Sequence, residues 1–191
     1  GVTWGNSVTS VLSYAFYNCT GLQRVSPGSS LAALGTSAFE GCRNLESLVL
    51  PDSLVAIGSR AFLNCTSLTN ALLGSGLAAI GSSAFYGCSG LTNLLIPAGV
   101  LTIDSSAFQG CTGLNEINIP ASVATLGTAV FDGCSRLTAI TVAGGNSAFS
   151  GPGGVLFNKA LTVLIQYPPG RNGAYAVPAG VTTLGNNAFR N

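Results

Sequence analysis

The chain of 191 residues contains no histidine, a single tryptophan and few charged side chains. Histidine is the side chain that most often acts as a general base, so its absence argues against acid–base catalysis. Without histidine or a Cys-x-x-Cys pair, the sequence has no recognisable zinc-binding pattern. It also lacks a phosphate-binding Gly-x-x-x-x-Gly-Lys-Ser/Thr motif, and nothing is placed to activate one of its many serines and threonines. We therefore expect no catalytic residue, no bound metal and no cofactor.

Charge is equally scarce. Charged residues make up 7% of the chain, against about 25% in typical soluble domains. The net charge of +1 predicts no binding to nucleic acid or to an anionic membrane surface. Apolar residues make up 47%, yet no uninterrupted apolar run reaches the ~18 residues of a membrane span. A polar surface of neutral Ser, Thr, Asn and Gly is more usual outside cells, and the start at Gly1 without a signal peptide indicates a mature or excised piece.

What the sequence does contain is a repeat of 23 residues. Three residue types recur in a fixed order, with phenylalanine three residues before a cysteine and leucine three residues after it. The cysteines are Cys19, Cys42, Cys65, Cys88, Cys111 and Cys134. The phenylalanines are Phe16, Phe39, Phe62, Phe85, Phe108 and Phe131. A unit this short cannot bury its own apolar side, so we expect neighbouring units to stack and to form a continuous core.

Each unit divides into recognisable local patterns. Leu48 and Leu50 alternate with polar or exposed positions, which indicates a short strand with one buried face, and Pro51 ends it. A second apolar pair follows, as in Leu54 and Ile57. Gly or Asp with a nearby Ser or Thr then suits a helix N-cap before Ala-Phe, and Gly-Cys or Asn-Cys ends about one helical turn. The unit is thus predicted as strand, turn, short helical turn and return, with strands of successive units ~4.8 Å apart in a parallel sheet.

This pattern resembles a known family. Leu45 to Ser67 and Leu91 to Gly113 follow L-x-x-L-x-[LI]-P-x-[SG]-[VL]-x-x-[LI]-G-x-x-A-F-x-[GN]-C-[ST]-x almost position by position. The sequence therefore resembles the BspA-like, treponemal-type leucine-rich repeat. The resemblance implies an α/β repeat fold, a right-handed curved solenoid with a concave parallel β-sheet and short helical turns on the convex side. It also implies a bacterial-type protein that is secreted or displayed on the cell surface, in a family often involved in adhesion or host-matrix binding.

We expect residues 1–191 to form one repeat domain. Residues 1–21 are a partial first unit and residues 22–136 form five regular units. Residues 137–171 form a longer variant unit, in which apolar runs on both sides of Asn158-Lys159-Ala160 predict a β-hairpin in place of the helical turn. Residues 172–191 are a partial last unit.

The six cysteines have three possible roles. Equivalent positions of stacked units would lie ~5 Å apart, within the range of a disulfide. Their side chains would, however, run parallel into the core, where a free cysteine is a good small apolar residue. A ladder of reduced, buried thiols is the favoured reading, disulfides between adjacent units remain an alternative, and a metal site is the least supported. Asn18-Cys19-Thr20 and Asn64-Cys65-Thr66 match the glycosylation signal, but a structural role in the turn before a buried cysteine is favoured.

The remaining strand positions should face solvent on the concave side. There, Val49, Leu72 and Leu95 fall in one row and predict an apolar strip, rimmed by Asn70, Asn93 and Glu116. Clustered exposed apolar surface often marks a binding site, here for a protein such as an extracellular-matrix or host surface protein. The alternative is that these residues only favour β-structure, in which case the chain is a passive spacer that displays another domain. Glycan binding has little support because exposed aromatic residues are predicted to be few.

Overall fold

The computed structural model describes residues 1–191, which form a solenoid of about eight coils with a repeat of about 23 residues. Coils one to six each contain one of the six aligned phenylalanines, the longer unit forms coil seven, and Phe189 lies in coil eight. A regular coil consists of a first strand of two to four residues, a second strand of two residues, and a run of turns. Strands are numbered β1 to β17 in chain order. None of the helical segments could span a lipid bilayer.

The first strands of successive coils form parallel pairs, as the sequence predicts. Every pair is offset by 23 residues, so Val25 lies opposite Leu48, and Ile117 lies opposite Ile140. Five of these strands form one sheet and the last two form a separate pair. We call this column of strands the first sheet; it contains β1 (Val2–Thr3), β3 (Arg24–Ser26), β5 (Ser47–Val49), β7 (Asn70–Leu72), β9 (Asn93–Leu94), β11 (Glu116–Ile119) and β13 (Ala139–Val142).

A second parallel sheet was not predicted from the sequence. Each of its six strands has two residues and contains the second member of the second apolar pair, such as Ile57 and Ile80, which are buried. Two residues are too few for an alternating pattern to be visible, which is why the sequence shows only an apolar pair. Its strands are β2 (Ser10–Val11), β4 (Ala33–Leu34), β6 (Ala56–Ile57), β8 (Ala79–Ile80), β10 (Thr102–Ile103) and β12 (Thr125–Leu126).

The predicted short helical turns are not helices in this structure. The Ala-Phe segment forms consecutive turns, in which the N–H groups of Ala61, Leu63 and Cys65 each donate to the carbonyl three residues earlier. The N–H groups between them donate to the next coil instead. Backbone hydrogen-bonding groups thus alternate between the coil itself and its neighbour, which an α-helix cannot do because all its N–H groups point along one axis. Each of these turns begins at a residue with positive φ, such as Arg60 at 57° and Ser83 at 56°.

The same turns explain the two asparagines that match the glycosylation signal. Asn18 and Asn64 have φ of 55° and 59°, in the left-handed region. The equivalent position in other coils is glycine, for example Gly41 at 75° and Gly87 at 69°. Asparagine is among the few other residues that adopt this conformation readily. The backbone therefore accounts for both asparagines, as the structural reading of the sequence supposes.

The core is a continuous stack of equivalent side chains. Neighbouring phenylalanine rings from Phe16 to Phe131 lie 4.8–5.9 Å apart and within 16° of parallel. Beside them, the thiol of each cysteine from Cys42 onward donates to the phenylalanine carbonyl of the preceding coil, at 3.1–3.2 Å. All six cysteines are free, and five are buried. Cys19 is exposed, so the predicted ladder of buried thiols is wrong at this position, because no coil packs against its outer side.

Coil seven interrupts both the second sheet and the turns. It contains β14 (Phe149–Ser150), a 3₁₀-helix at Pro152–Gly154, β15 (Leu156–Asn158) and β16 (Val163–Gln166). β15 pairs antiparallel with both β14 and β16, which gives a hairpin where the sequence suggests one. β16 pairs parallel with β17 (Thr183–Leu184) of coil eight, and the second sheet ends at β12.

Candidate binding surface

The predicted apolar strip lies on the outer face of the first sheet. Val49 and Leu72 are opposite each other in β5 and β7 and are 52% and 55% exposed. Leu95 directly follows β9 and is 79% exposed, the largest value among the large apolar side chains of the chain. The inward neighbours Leu48 and Ala71 are buried, so the alternation of the strands has the predicted phase.

The polar rim is also exposed and lies next to the strip. Asn70 and Asn93 are opposite each other in β7 and β9, and Glu116 begins β11. Glu116 is the one charged side chain among the six predicted site residues, so the surface is nearly neutral. The structure therefore brings all six residues together on one surface, where Val49 lies at the edge farthest from Glu116.

One feature of this surface is not visible in the sequence. The first sheet is interrupted between β9 and β11, which do not pair. A shallow depression of about 370 Å³ lies at the interruption, and it is lined by both rim asparagines, Leu72, Leu95 and Glu116. Leu73 and Leu94 complete its apolar wall, although the sequence did not single them out. The depression gives the strip a concave centre, the shape that can enclose a partner's side chain.

The buried thiols lie in an environment that keeps them protonated. Burial raises the pKa of Cys42 to about 11 and that of Cys134 to about 12. Burial also raises the pKa of Cys65, Cys88 and Cys111. At neutral pH these thiols are protonated, whereas the thiolate is the form that reacts as a nucleophile. No group of three or more His, Cys, Asp or Glu side chains is close enough to hold a metal ion.

The family follows from the repeat itself. The model of the BspA type leucine-rich repeat region matches six copies within residues 1–112 and 66–151. The chain belongs to the BspA-type leucine-rich repeat family. The resemblance inferred from the sequence is thus confirmed. No curated protein sequence matches this chain significantly.

Solved structures of bacterial leucine-rich repeat proteins resemble this BspA-type chain. A leucine-rich repeat protein of Eubacterium ventriosum superposes with a TM-score of 0.76 over 88% of this chain and 45% of its own, at 22% identity, which shows the fold alone. A leucine rich cell surface protein of Faecalibacterium prausnitzii has 26% identity and a TM-score of 0.65 over 98% of this chain and 57% of its own. The leucine-rich repeat protein of T. pallidum has 30% identity and a TM-score of 0.56 over 68% of this chain and 72% of its own.

The BspA-type chain spans roughly half the length of several structures that it matches, from 41% to 57%. Leucine-rich repeat proteins are typically non-enzymatic scaffolds, and the family that this chain belongs to is defined by its repeat and not by an enzymatic activity.

Proposed function

We propose that this BspA-type chain is a non-enzymatic, secreted or surface-displayed module that binds a protein partner through the outer face of the first sheet. The observation that carries the proposal is the row of Val49, Leu72 and Leu95, three large apolar side chains more than half exposed on one surface. Isolated exposed apolar residues are ordinary, but a cluster with a polar rim is typical of an interaction site.

The cellular location is part of the proposal. The Faecalibacterium prausnitzii relative is described as a cell surface protein. The neutral polar surface of the present chain supports the same location, and an extracellular-matrix or host surface protein is the partner class that fits it.

We also propose the finer architecture implied by the family: a right-handed, curved solenoid of one domain, with the first sheet on the concave side and with units at residues 1–21, 22–136, 137–171 and 172–191.

The proposal is tested by replacing one strip residue. Leu72→Ser removes an apolar side chain that is 55% exposed, so stability should change little. Full burial of an exposed leucine contributes ~1.5–3 kcal/mol, and about half of that remains available at Leu72. Binding to a captured matrix protein or to host cells should therefore weaken by roughly 4- to 15-fold. Leu101→Ser is the matched control, because Leu101 is 54% exposed and lies beside the second sheet.

Two outcomes would reject the binding surface. If the chain binds matrix proteins or host cells but Leu72→Ser and Leu101→Ser bind equally well, the partner uses another surface. If no binding occurs to any immobilised matrix protein or host cell, the alternative function as a passive spacer is favoured, since a spacer needs only a rigid array.

A further inference from the structure

The backbone of each regular coil presents a fixed row of hydrogen-bond donors to the next coil. Phe62 N–H donates to the Ala84 carbonyl at 2.8 Å, and Asn64 N–H donates to the Tyr86 carbonyl at 2.7 Å. Three such bonds, on alternate residues, join every pair of consecutive coils from coil one to coil six. Backbone carbonyls of the second sheet also accept hydrogen bonds from the next coil. The Ile57 carbonyl, for example, accepts from Gly81 N–H at 3.0 Å. The row therefore always faces the turn segment of the next coil.

The same row is unoccupied on coil six. The N–H groups of Ala129, Phe131 and Gly133 correspond to the three donors, and none of them has an acceptor within the protein. The carbonyls of Ala124 and Leu126, which correspond to the second-sheet acceptors, receive no hydrogen bond. The cause is the hairpin of coil seven, whose strands pair with one another and not with β12. Coil six therefore has free backbone donors and acceptors that could pair with one more backbone segment.

A cavity lies where that segment would be. It measures about 260 Å³ and lies between the turn of coil six, residues 126–131, and the strands of coil seven. Its apolar wall includes Leu126, Leu156 and Ile165, and Asn186 and Gln166 supply polar groups. A cavity of about 150 Å³ lined by Leu, Ile and Phe is large enough to bind benzene. The space is therefore sufficient for an aromatic side chain.

The stack of phenylalanines ends at the same place. Phe131 lies 5.9 Å from Phe108 on one side and has no aromatic partner on the other. The next stacked pair along the solenoid is Tyr167 with Phe189, at 5.3 Å. The aromatic stack is therefore interrupted between Phe131 and Tyr167, and Phe131 lines the cavity there.

We propose that this gap between coils six and seven, which we call the junction slot, binds a short turn-forming segment of a partner protein that carries a small residue followed by an aromatic residue. The small residue's carbonyl would accept from Phe131 N–H, as the Ala84 carbonyl accepts from Phe62 N–H. The aromatic ring would stack on Phe131 in the cavity, as Phe85 stacks on Phe62 at 5.3 Å. As in strand addition to an open sheet edge, backbone bonds would hold the peptide and one pocket would select its side chain. The junction slot is distinct from the strip on the first sheet.

The first test measures the free donors in the unmodified protein. Amide hydrogen exchange followed by NMR should show the amides of Ala129, Phe131 and Gly133 exchanging faster than those of Ser106, Phe108 and Gly110, their equivalents one coil earlier. Equal protection of the two sets would show that the row on coil six is already occupied and would overturn the proposal.

The second test adds a probe that copies a natural occupant. The blocked peptide Ser-Ser-Ala-Phe-Tyr-Gly has the sequence of residues 82–87, whose carbonyls fill this row on coil three. At millimolar concentration it should shift and protect the three coil-six amides, and alanine in place of its phenylalanine should weaken binding by about tenfold or more. No change at these amides, or equal binding of the two peptides, would overturn the proposal.

Further controls separate other occupants. Ile165→Glu places a charge in the cavity and should abolish peptide binding, whereas Leu161→Glu, in the same segment but outside the cavity wall, should not. If indole shifts the methyl groups of Leu126 and Ile165 while the hexapeptide protects no amide, the cavity takes small molecules and the peptide assignment is wrong. If protection rises with protein concentration and sedimentation shows dimers, the occupant is a second copy of the chain and the proposed partner is also wrong.

Discussion

Replacing Phe85 with alanine tests whether the aromatic stack stabilises the array. Phe85 is fully buried and its ring lies between Phe62, at 5.3 Å, and Phe108, at 5.6 Å. A buried Phe→Ala substitution costs about 3–5 kcal/mol, and two stacked neighbours place this site in the upper part of that range, since each aromatic pair adds ~0.5–1.5 kcal/mol. A loss of about 4 kcal/mol in a chain of this size lowers the melting temperature by roughly 8–16 °C.

The assay is thermal and denaturant unfolding followed by circular dichroism. Tyr86→Ala is the matched control, because Tyr86 is the next residue on the same turn but is 37% exposed. Since each coil is stabilised mainly by its neighbours, amides near Phe62 and Phe108 should also exchange faster in Phe85→Ala, while those of coil one stay unchanged. A loss of stability no larger than that of Tyr86→Ala would refute the interpretation that the stack carries much of the core energy.

Three further predictions concern single positions. A thiol reagent should modify one cysteine, Cys19, in the native protein and all six after denaturation without reductant, and a total of two or fewer would reveal disulfides. Asp132 is buried, its nearest cation is Arg190 at 3.7 Å, and burial raises the pKa of its carboxyl despite that arginine. The folded state therefore binds the proton more tightly than the unfolded state, so this carboxyl lowers stability as the pH rises from below 3.8 through the raised pKa. Asp132→Asn should accordingly raise the melting temperature at pH 7 and flatten its pH dependence, and an unchanged pH profile would contradict this reasoning. Finally, Asn64→Gly should leave stability nearly unchanged, whereas Asn64→Val should cost about 1–2 kcal/mol in chemical denaturation, because the backbone there has φ of 59°.

The parts of the fold that could be predicted are those in which burial selects the side chain. Phe85, Cys88 and Leu91 recur because every coil needs the same apolar shape at the same place, and this made the repeat and the parallel first sheet visible. The phase of Val49 and Leu72 followed from the same requirement. The binding role of the strip remains a prediction, since exposure alone does not identify a partner.

The parts that could not be predicted depend on backbone hydrogen bonds between coils. Arg60 and Ala129 adopt positive φ although neither residue type favours it, so the sequence indicates a helical turn where the backbone forms consecutive turns. The two-residue strands of the second sheet are stabilised by pairing and not by a strand propensity of their own. The interruption after β9 leaves no mark on the sequence, because it arises from pairing that is absent. The free donors of coil six follow from the hairpin that the longer unit predicts, but the sequence alone does not show which donors it leaves without a partner.

The two interruptions of the sheets also bear on how the solenoid responds to force. Hydrogen bonds between coils run along the length of the array, so tension applied at its two ends would act on them directly. Where the first sheet is broken, between β9 and β11, the pair β10–β12 and the three turn bonds of coil five remain. Between coils six and seven, where the second sheet and the hydrogen bonds of the turns stop, β11 and β13 still pair over four residues. Because the gaps fall at different junctions, every junction of the regular array is bridged by backbone bonds, and tension along the array would have no junction at which only side-chain contacts resist it.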